Sequence, residues 1–191
     1  MKAHFLLLVL CLFTMNVRGS DIHFYGVGEY ASTKLSSNLI THIAQDTYGY
    51  IWVATDYGLN KFDGTSVTSY LHDEKDSTSL LSNNVRTLFV DKDSILWVGS
   101  NKGLQYYLPD QNQFEKIIFP NGASPHITHI YQFHNGNIWV ATSGWGIYSI
   151  HKEEAKATLL EDITALTGDF PNYIYEDKQL NIWMASMEKE S

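Results

Sequence analysis

Apolar and polar residues alternate along this chain in short runs, and the runs come in sets. Ile40, His42 and Ala44 alternate with Thr41, Ile43 and Gln45, residues 50–55 are rich in β-branched and aromatic side chains, and residues 59–62 and 65–71 continue the pattern. A period of two over short runs bounded by Gly, Asp and Asn is the pattern of strands with two distinct faces. Asp46-Thr47-Tyr48-Gly49 and Asp56-Tyr57-Gly58 read as tight turns, and Asp63-Gly64 is the strongest hairpin signal in the chain. Four strands joined by short turns within about 40 residues predict one small antiparallel sheet.

The set returns. Residues 91–104 surround Trp97 as residues 46–59 surround Trp52, residues 133–147 surround Trp139, and a shorter copy at 177–186 surrounds Trp183. The steps from Trp to Trp are 45, 42 and 44 residues, a near-constant period that marks a propeller or solenoid. Leu81-Ser82-Asn83-Asn84 repeats the Leu35-Ser36-Ser37-Asn38 opening, and Ser94 stands where Gly49 stood. Ser143-Gly144-Trp145-Gly146 is one residue longer than the matching turns. The prediction is an all-β fold, a β-propeller of four-stranded antiparallel blades that is incomplete in this chain, with three blades plus part of a fourth. Its expected divisions are 21–34 for an N-terminal strand and lead-in, 35–78, 79–122 and 123–166 for three blades, and 167–191 for the partial fourth. No long amphipathic helix is predicted; residues 152–160 have room for a turn or two. An unclosed ring leaves two sheet edges and two apolar faces open to water, which predicts self-association.

The termini and the charge narrow the class. Residues 1–20 have the form of a secretory signal peptide, with Lys2 before an apolar segment at 5–13 and Arg18-Gly19-Ser20 after it. An uncleaved leader would instead anchor the chain at the periplasmic face of the inner membrane. Cys11 is the one cysteine and lies inside that segment, with Val9 and Leu10 where lipidation would want small residues, so the body holds no disulfide or thiolate site. The net charge of −8 repels polyphosphate and argues against nucleic acid as a partner. No further stretch is apolar enough to cross a membrane, so the mature body is expected to make no membrane contact.

A blade must fill the wedge between itself and its neighbour, which is the expected duty of Trp52, Trp97, Trp139 and Trp183. Gly58, Gly103 and Gly146 read as positive-φ turn positions, and the recurring Asp residues as turn caps. There is no paired-carboxylate, Gly-x-Ser-x-Gly or His-x-x-x-His pattern and no oxygen-ligand loop, so neither catalysis, a metal nor a cofactor is expected.

The opening at 35–40, the run Gln45-Asp46-x-x-Gly49-x-Ile51-Trp52-Val53-Ala54-Thr55 and the segment Gly58-Leu59-Asn60-Lys61-Phe62-Asp63 together resemble the two-component regulator propeller repeat. That resemblance covers most of residues 35–186. It implies the periplasmic sensor region of a hybrid two-component histidine kinase that responds to carbohydrates, with further blades, a kinase and output domains absent from this chain, and a homodimer partner in the intact sensor. Two alternatives stand beside it, a propeller scaffold for protein contacts and a propeller-type hydrolase or lyase. In a four-stranded blade the loop before the first strand and the second turn share one end. This places Asn38, Asn84 and His126 with Tyr57, Lys102 and Trp145 there as candidate oligosaccharide contacts, since sugar CH faces pack on aromatic rings and hydroxyls take directed hydrogen bonds. The competing reading of Asn38 and Asn84 is that they cap turns.

Overall fold

The computed structural model describes residues 34–187; the leader, Cys11 and the lead-in strand expected at 22–30 lie outside the described residues. Strands β1 (Ile40–Gln45), β2 (Ile51–Thr55), β3 (Gly58–Phe62) and β4 (Val67–Tyr70) form one antiparallel sheet in chain order. Strands β5 (Val85–Val90), β6 (Leu96–Ser100), β7 (Gly103–Leu108) and β8 (Gln113–Lys116) form a second. A third comprises β9 (His126–Gln132), β10 (Ile138–Ser143), β11 (Gly146–His151) and β12 (Lys156–Leu159), and β13 (Pro171–Glu176) pairs with β14 (Ile182–Ser186) alone. The first strands of successive sheets lie against one another, β1 on β5, β5 on β9 and β9 on β13. Thr41 Oγ1 donates to the Val85 carbonyl at 2.7 Å and Thr128 Oγ1 to the Pro171 carbonyl at 2.8 Å, so a threonine hydroxyl helps tie each of these two inner strand pairs. This is an arc of propeller blades, all-β and incomplete.

The core lies in the seams between sheets. Trp52 is fully buried with Leu59, Leu80 and Leu88 between the first two sheets, its ring 4.9 Å from that of Tyr107. Trp97 is fully buried with Ile127, Ile130 and Val140 between the second and third. Trp139 is half-buried at the third seam, 4.7 Å from the Phe133 ring. Trp183 departs from its expected duty: it is 63% exposed, because among the described residues no sheet packs on that face. Leu39 and Ile43 at the far side of β1 are likewise 66% and 57% exposed, so both ends of the arc present apolar side chains.

Two local features differ from expectation. A short helix, α1 (Glu161–Thr167), joins β12 to the fourth sheet, with Ile163 against the third seam and Thr164 Oγ1 accepting the Ile147 N–H. Seven residues are too few to show a helical period, so the sequence pattern hides it. Within 152–160, where the sequence leaves room for a turn or two of helix, Lys152–Glu154 makes one 3-10 turn and Lys156–Leu159 is β12. The turn residues behave as read. Ser94 takes φ +67° in place of Gly49 at +89°, and Gly58 sits at φ +112° where an added Cβ would stand 2.8 Å from the Tyr70 carbonyl.

Candidate recognition surface

The recurring Asp does more than cap a turn. Asp46 Oδ1 accepts the N–H groups of Tyr48 and Tyr50, and its Oδ2 accepts the Trp52 indole at 2.8 Å. Asp91 repeats all three bonds with Asp93, Ile95 and Trp97, and Asp177 with Gln179, Asn181 and Trp183. A large apolar side chain thus enters the seam with its one polar atom already paired. In the third sheet Phe133 occupies the Asp position, so the indole of Trp139 meets a ring there.

The second turns form the opposite end of each sheet, as the pairings Ile40↔Thr55, Val85↔Ser100 and His126↔Ser143 show. A hydroxyl holds each turn. Thr55 Oγ1 donates to the Gly58 carbonyl and accepts the Tyr57 N–H; Ser100 does the same with Gly103 and Lys102, and Thr142 donates to Gly146. These turns also bridge blades, for Gly58 N–H donates to the Asn83 carbonyl at 2.6 Å and Gly144 N–H to that of Asp169 at 2.7 Å. Tyr57, Lys102 and Trp145 therefore stand on fixed backbone, with Tyr57 55% and Trp145 51% exposed. The loop from Thr142 to Gly146 is one residue longer than its counterparts, as the sequence indicated.

The lead-in positions fall slightly differently. Leu35 and Leu80 are the buried equivalents, and Leu39 N–H donates to Ser37 Oγ as Asn84 N–H donates to Ser82 Oγ. Asn38 thus corresponds to Asn83, while Asn84 corresponds to Leu39 and to His126. Asn38 is exposed, and Asn83 accepts the His72 N–H through Oδ1. The Oδ1 atoms of Asn84 and of Asp56 are buried with no hydrogen-bond partner among the described residues. Buried acceptors are nearly always paired, so two orphans at one end of neighbouring blades mark a place that a donor fits. Sequence reasoning missed Asp56, because an Asp in a turn already has an ordinary explanation. His126, at the same end of the third sheet, is half-buried, its pKa lowered by burial and then by the nearby Arg86.

His42 Nδ1 accepts the Leu88 N–H and His129 Nδ1 the Ile174 N–H, so both imidazoles serve the joints between blades. Among the described residues no three His, Cys, Asp or Glu side chains group as metal ligands, and no helix is long and apolar enough to cross a membrane.

Comparison with known proteins agrees with this geometry. Residues 34–57 and 79–102 match the family described as two component regulator propeller. A histidine kinase, P4, of Formosa agariphila is 46% identical over 46 residues, which are 24% of this chain and 3% of that protein. The extracellular domain of a hybrid two-component system from B. thetaiotaomicron superposes with a TM-score of 0.69 at 25% identity, covering 80% of this chain and 22% of that one. Virginiamycin B lyase from Staphylococcus aureus reaches a TM-score of 0.61 at 16% identity, over 81% of this chain and 51% of the lyase, and shares the fold alone. The chain spans less than a quarter of the length of the two-component relatives named. Two of its repeats, at residues 34–57 and 79–102, match the two component regulator propeller, and in fold the chain resembles the extracellular domains of hybrid two-component systems.

Proposed function

We propose that this chain is an exported, periplasmic ligand-recognition segment of a two-component sensor, that it takes an oligosaccharide at the end formed by its second turns, and that it carries out no chemical step itself. The observation that carries this reading is that exposed Tyr57 and Trp145 and the orphaned acceptors Asp56 Oδ1 and Asn84 Oδ1 all belong to the same end of the blades, that of the second turns. Aromatic faces accept the CH side of a pyranose, and hydroxyl groups supply the donors that two buried acceptors lack. Lys102, His126 and Asn38 stand at the same end and add donors at its rim. The match to two-component repeats and the likeness to extracellular sensor domains support a signalling setting, in which further blades and a second copy of the sensor complete the receptor.

Calorimetric titration of the full chain with neutral and acidic oligosaccharides tests the reading. A saturable heat that Trp145→Ala and Asp56→Ala each weaken about tenfold is expected, since one lost stacking face or buried hydrogen bond has that scale. If a protein partner binds this end and no glycan does, the scaffold reading takes its place.

A further inference from the structure

A groove of about 430 Å3 opens between the first and second sheets at the other end, where the β1–β2 turns lie. A smaller depression of about 240 Å3 adjoins it, and the two share Tyr50 and Lys61. The groove's size falls within the ~300–1,000 Å3 of small-ligand clefts.

The groove opens at the seam that lacks a staple. At the second seam Lys92 N–H donates to Gln132 Oε1 at 2.8 Å, and Lys92 Nζ reaches the carbonyls of Phe133 and His134. At the third seam His134 N–H donates to Glu176 Oε2 at 2.8 Å, with His134 Nδ1 against Oε1. Each staple joins the second residue of one turn to the last residue of the next blade's inner strand. At the first seam those places are held by Thr47 and Val90, and an isopropyl group cannot accept. Val90 thus removes the inner-strand staple from the first seam, which is joined instead nearer its outer strands, where Tyr70 Oη donates to Asn112 Oδ1 at 2.8 Å.

Its chemistry is that of a polar ligand site. Lys61 Nζ sits 3.9 Å from the Tyr50 ring centroid and 5.4 Å from that of Trp52, with no carboxylate within salt-bridge distance among the described residues. Tyr48, 72% exposed, lies with its centroid 6.4 Å from that of Tyr50 and extends the aromatic wall. Asp46 and Asp63 are committed to their own turns, whereas Asp93 and Asp110 turn exposed carboxylates to the rim. An ammonium at the centre disfavours a cation and two free carboxylates disfavour an anion. A neutral ligand with both donors and acceptors and an apolar face satisfies all of them: its CH face packs on tyrosine, its hydroxyls donate to aspartate, and its ring oxygens accept from lysine.

We propose that the groove between the first and second blades is a second binding site, for a neutral oligosaccharide that runs over Tyr48 and Tyr50 and crosses Lys61 into the adjoining depression. The site rests on the same ligand class as the proposed function and lies at the opposite end of the blades. The test is titration of the full chain with a panel of neutral hexasaccharides (cello-, xylo-, manno-, malto- and laminarihexaose), repeated with Tyr48→Ala, Lys61→Met and Trp145→Ala. At least one hexasaccharide is expected to bind with an affinity that falls about tenfold in Tyr48→Ala and in Lys61→Met while Trp145→Ala leaves that site unchanged. Tyr48 is exposed, so its replacement tests binding without threatening the fold; circular dichroism confirms that for Lys61→Met. Loss of binding in Trp145→Ala alone overturns the groove and leaves the proposed function standing, and loss in the groove variants alone does the reverse. Binding by none of the hexasaccharides, or binding confined to acidic glycans, overturns the groove.

Discussion

Asp91 with Trp97 and Asp177 with Trp183 are the same device in two settings. Both carboxylates accept two turn N–H groups and an indole, at 2.8 Å for Trp97 and 2.9 Å for Trp183, yet Trp97 is fully buried and Trp183 is 63% exposed. Hydrogen-bond geometry alone therefore does not set the worth of the motif. Inside the seam the carboxylate spares a buried indole N–H from being unpaired and lets the ring be surrounded by Ile127, Ile130 and Val140. At the open face, water satisfies the same N–H and little apolar surface is removed from solvent. The local turn forms from sequence; its energetic weight comes from whether another sheet lies on it. Phe133 shows the third solution, in which the carboxylate is replaced by a ring and the half-buried Trp139 stacks edge-on instead.

The widest separation between the two settings is expected on truncating the rings. Trp97→Ala removes a fully buried aromatic side chain and leaves a cavity, a change that costs about 3–5 kcal/mol and unfolds a marginal domain in urea denaturation at neutral pH. Next comes the carboxylate. Asp91→Ala strands the buried indole N–H and two turn N–H groups, an expected loss of about 2–3 kcal/mol by the same measurement. Asp91→Asn keeps an acceptor for one set of these bonds and should recover part of it. An Asp91→Ala protein as stable as the original would break the argument that the bond matters because it is buried.

The histidines at the blade joints add a smaller, pH-dependent effect. Burial, and then the charge of His42 nearby, hold His129 down to about 4 from 6.5. Burial lowers His42 in the same direction. The unfolded imidazole takes up a proton near pH 6.5 and the folded one only near pH 4, so stability is fully present above pH 6.5 and is lost as the pH falls toward 4. Asp177 is likewise held low, at about 2, first by the Trp183 indole and then by Asn181, but it is exposed, so solvent screening leaves that shift little weight in stability. A falling Tm between pH 6.5 and 4 that flattens in His129→Asn is the expected outcome in calorimetry. Asparagine can still accept the Ile174 N–H and does not titrate, so an unflattened slope would assign the effect to other groups.

Most of the fold was legible because it is written several times. Trp52, Trp97 and the positive-φ glycines repeat at fixed spacing, and alternation marks the strands around them. What escaped has physical causes. The Leu-Ser-x-Asn opening fits at two offsets, because Leu80 and Leu81 are adjacent; only the burial of Leu35 and Leu80 shows that Asn38 pairs with Asn83 rather than Asn84. The indole bond was hidden behind the ordinary reading of Asp as a turn cap. The staple at Gln132 and Glu176, and its loss at Val90, joins residues one whole repeat apart, which no local pattern reports. Asn84 was legible as a candidate contact and Asp56 as a turn residue, but that each leaves an acceptor unpaired was not, since an unpaired acceptor is visible only once its neighbours are in place. The candidate contacts Tyr57, Lys102 and Trp145 were found by the opposite route, as the places where the copies disagree.

The smallest expected effect is the sharpest check on the comparison. Trp183→Ala removes a ring that is already mostly in water, so its cost should lie within about 0.5 kcal/mol, the range of ordinary surface substitutions. Its indole still bonds Asp177, as Trp97 bonds Asp91, and a cost near that of Trp97→Ala would mean that the hydrogen-bonded turn, rather than the seam, sets the stability of a blade. The same substitution also reads the open face. If a second copy of the chain covers Trp183 at high protein concentration, the cost measured there rises toward the Trp97 value and the melting temperature becomes concentration-dependent. A cost that stays small at every concentration shows that Trp183 remains in water.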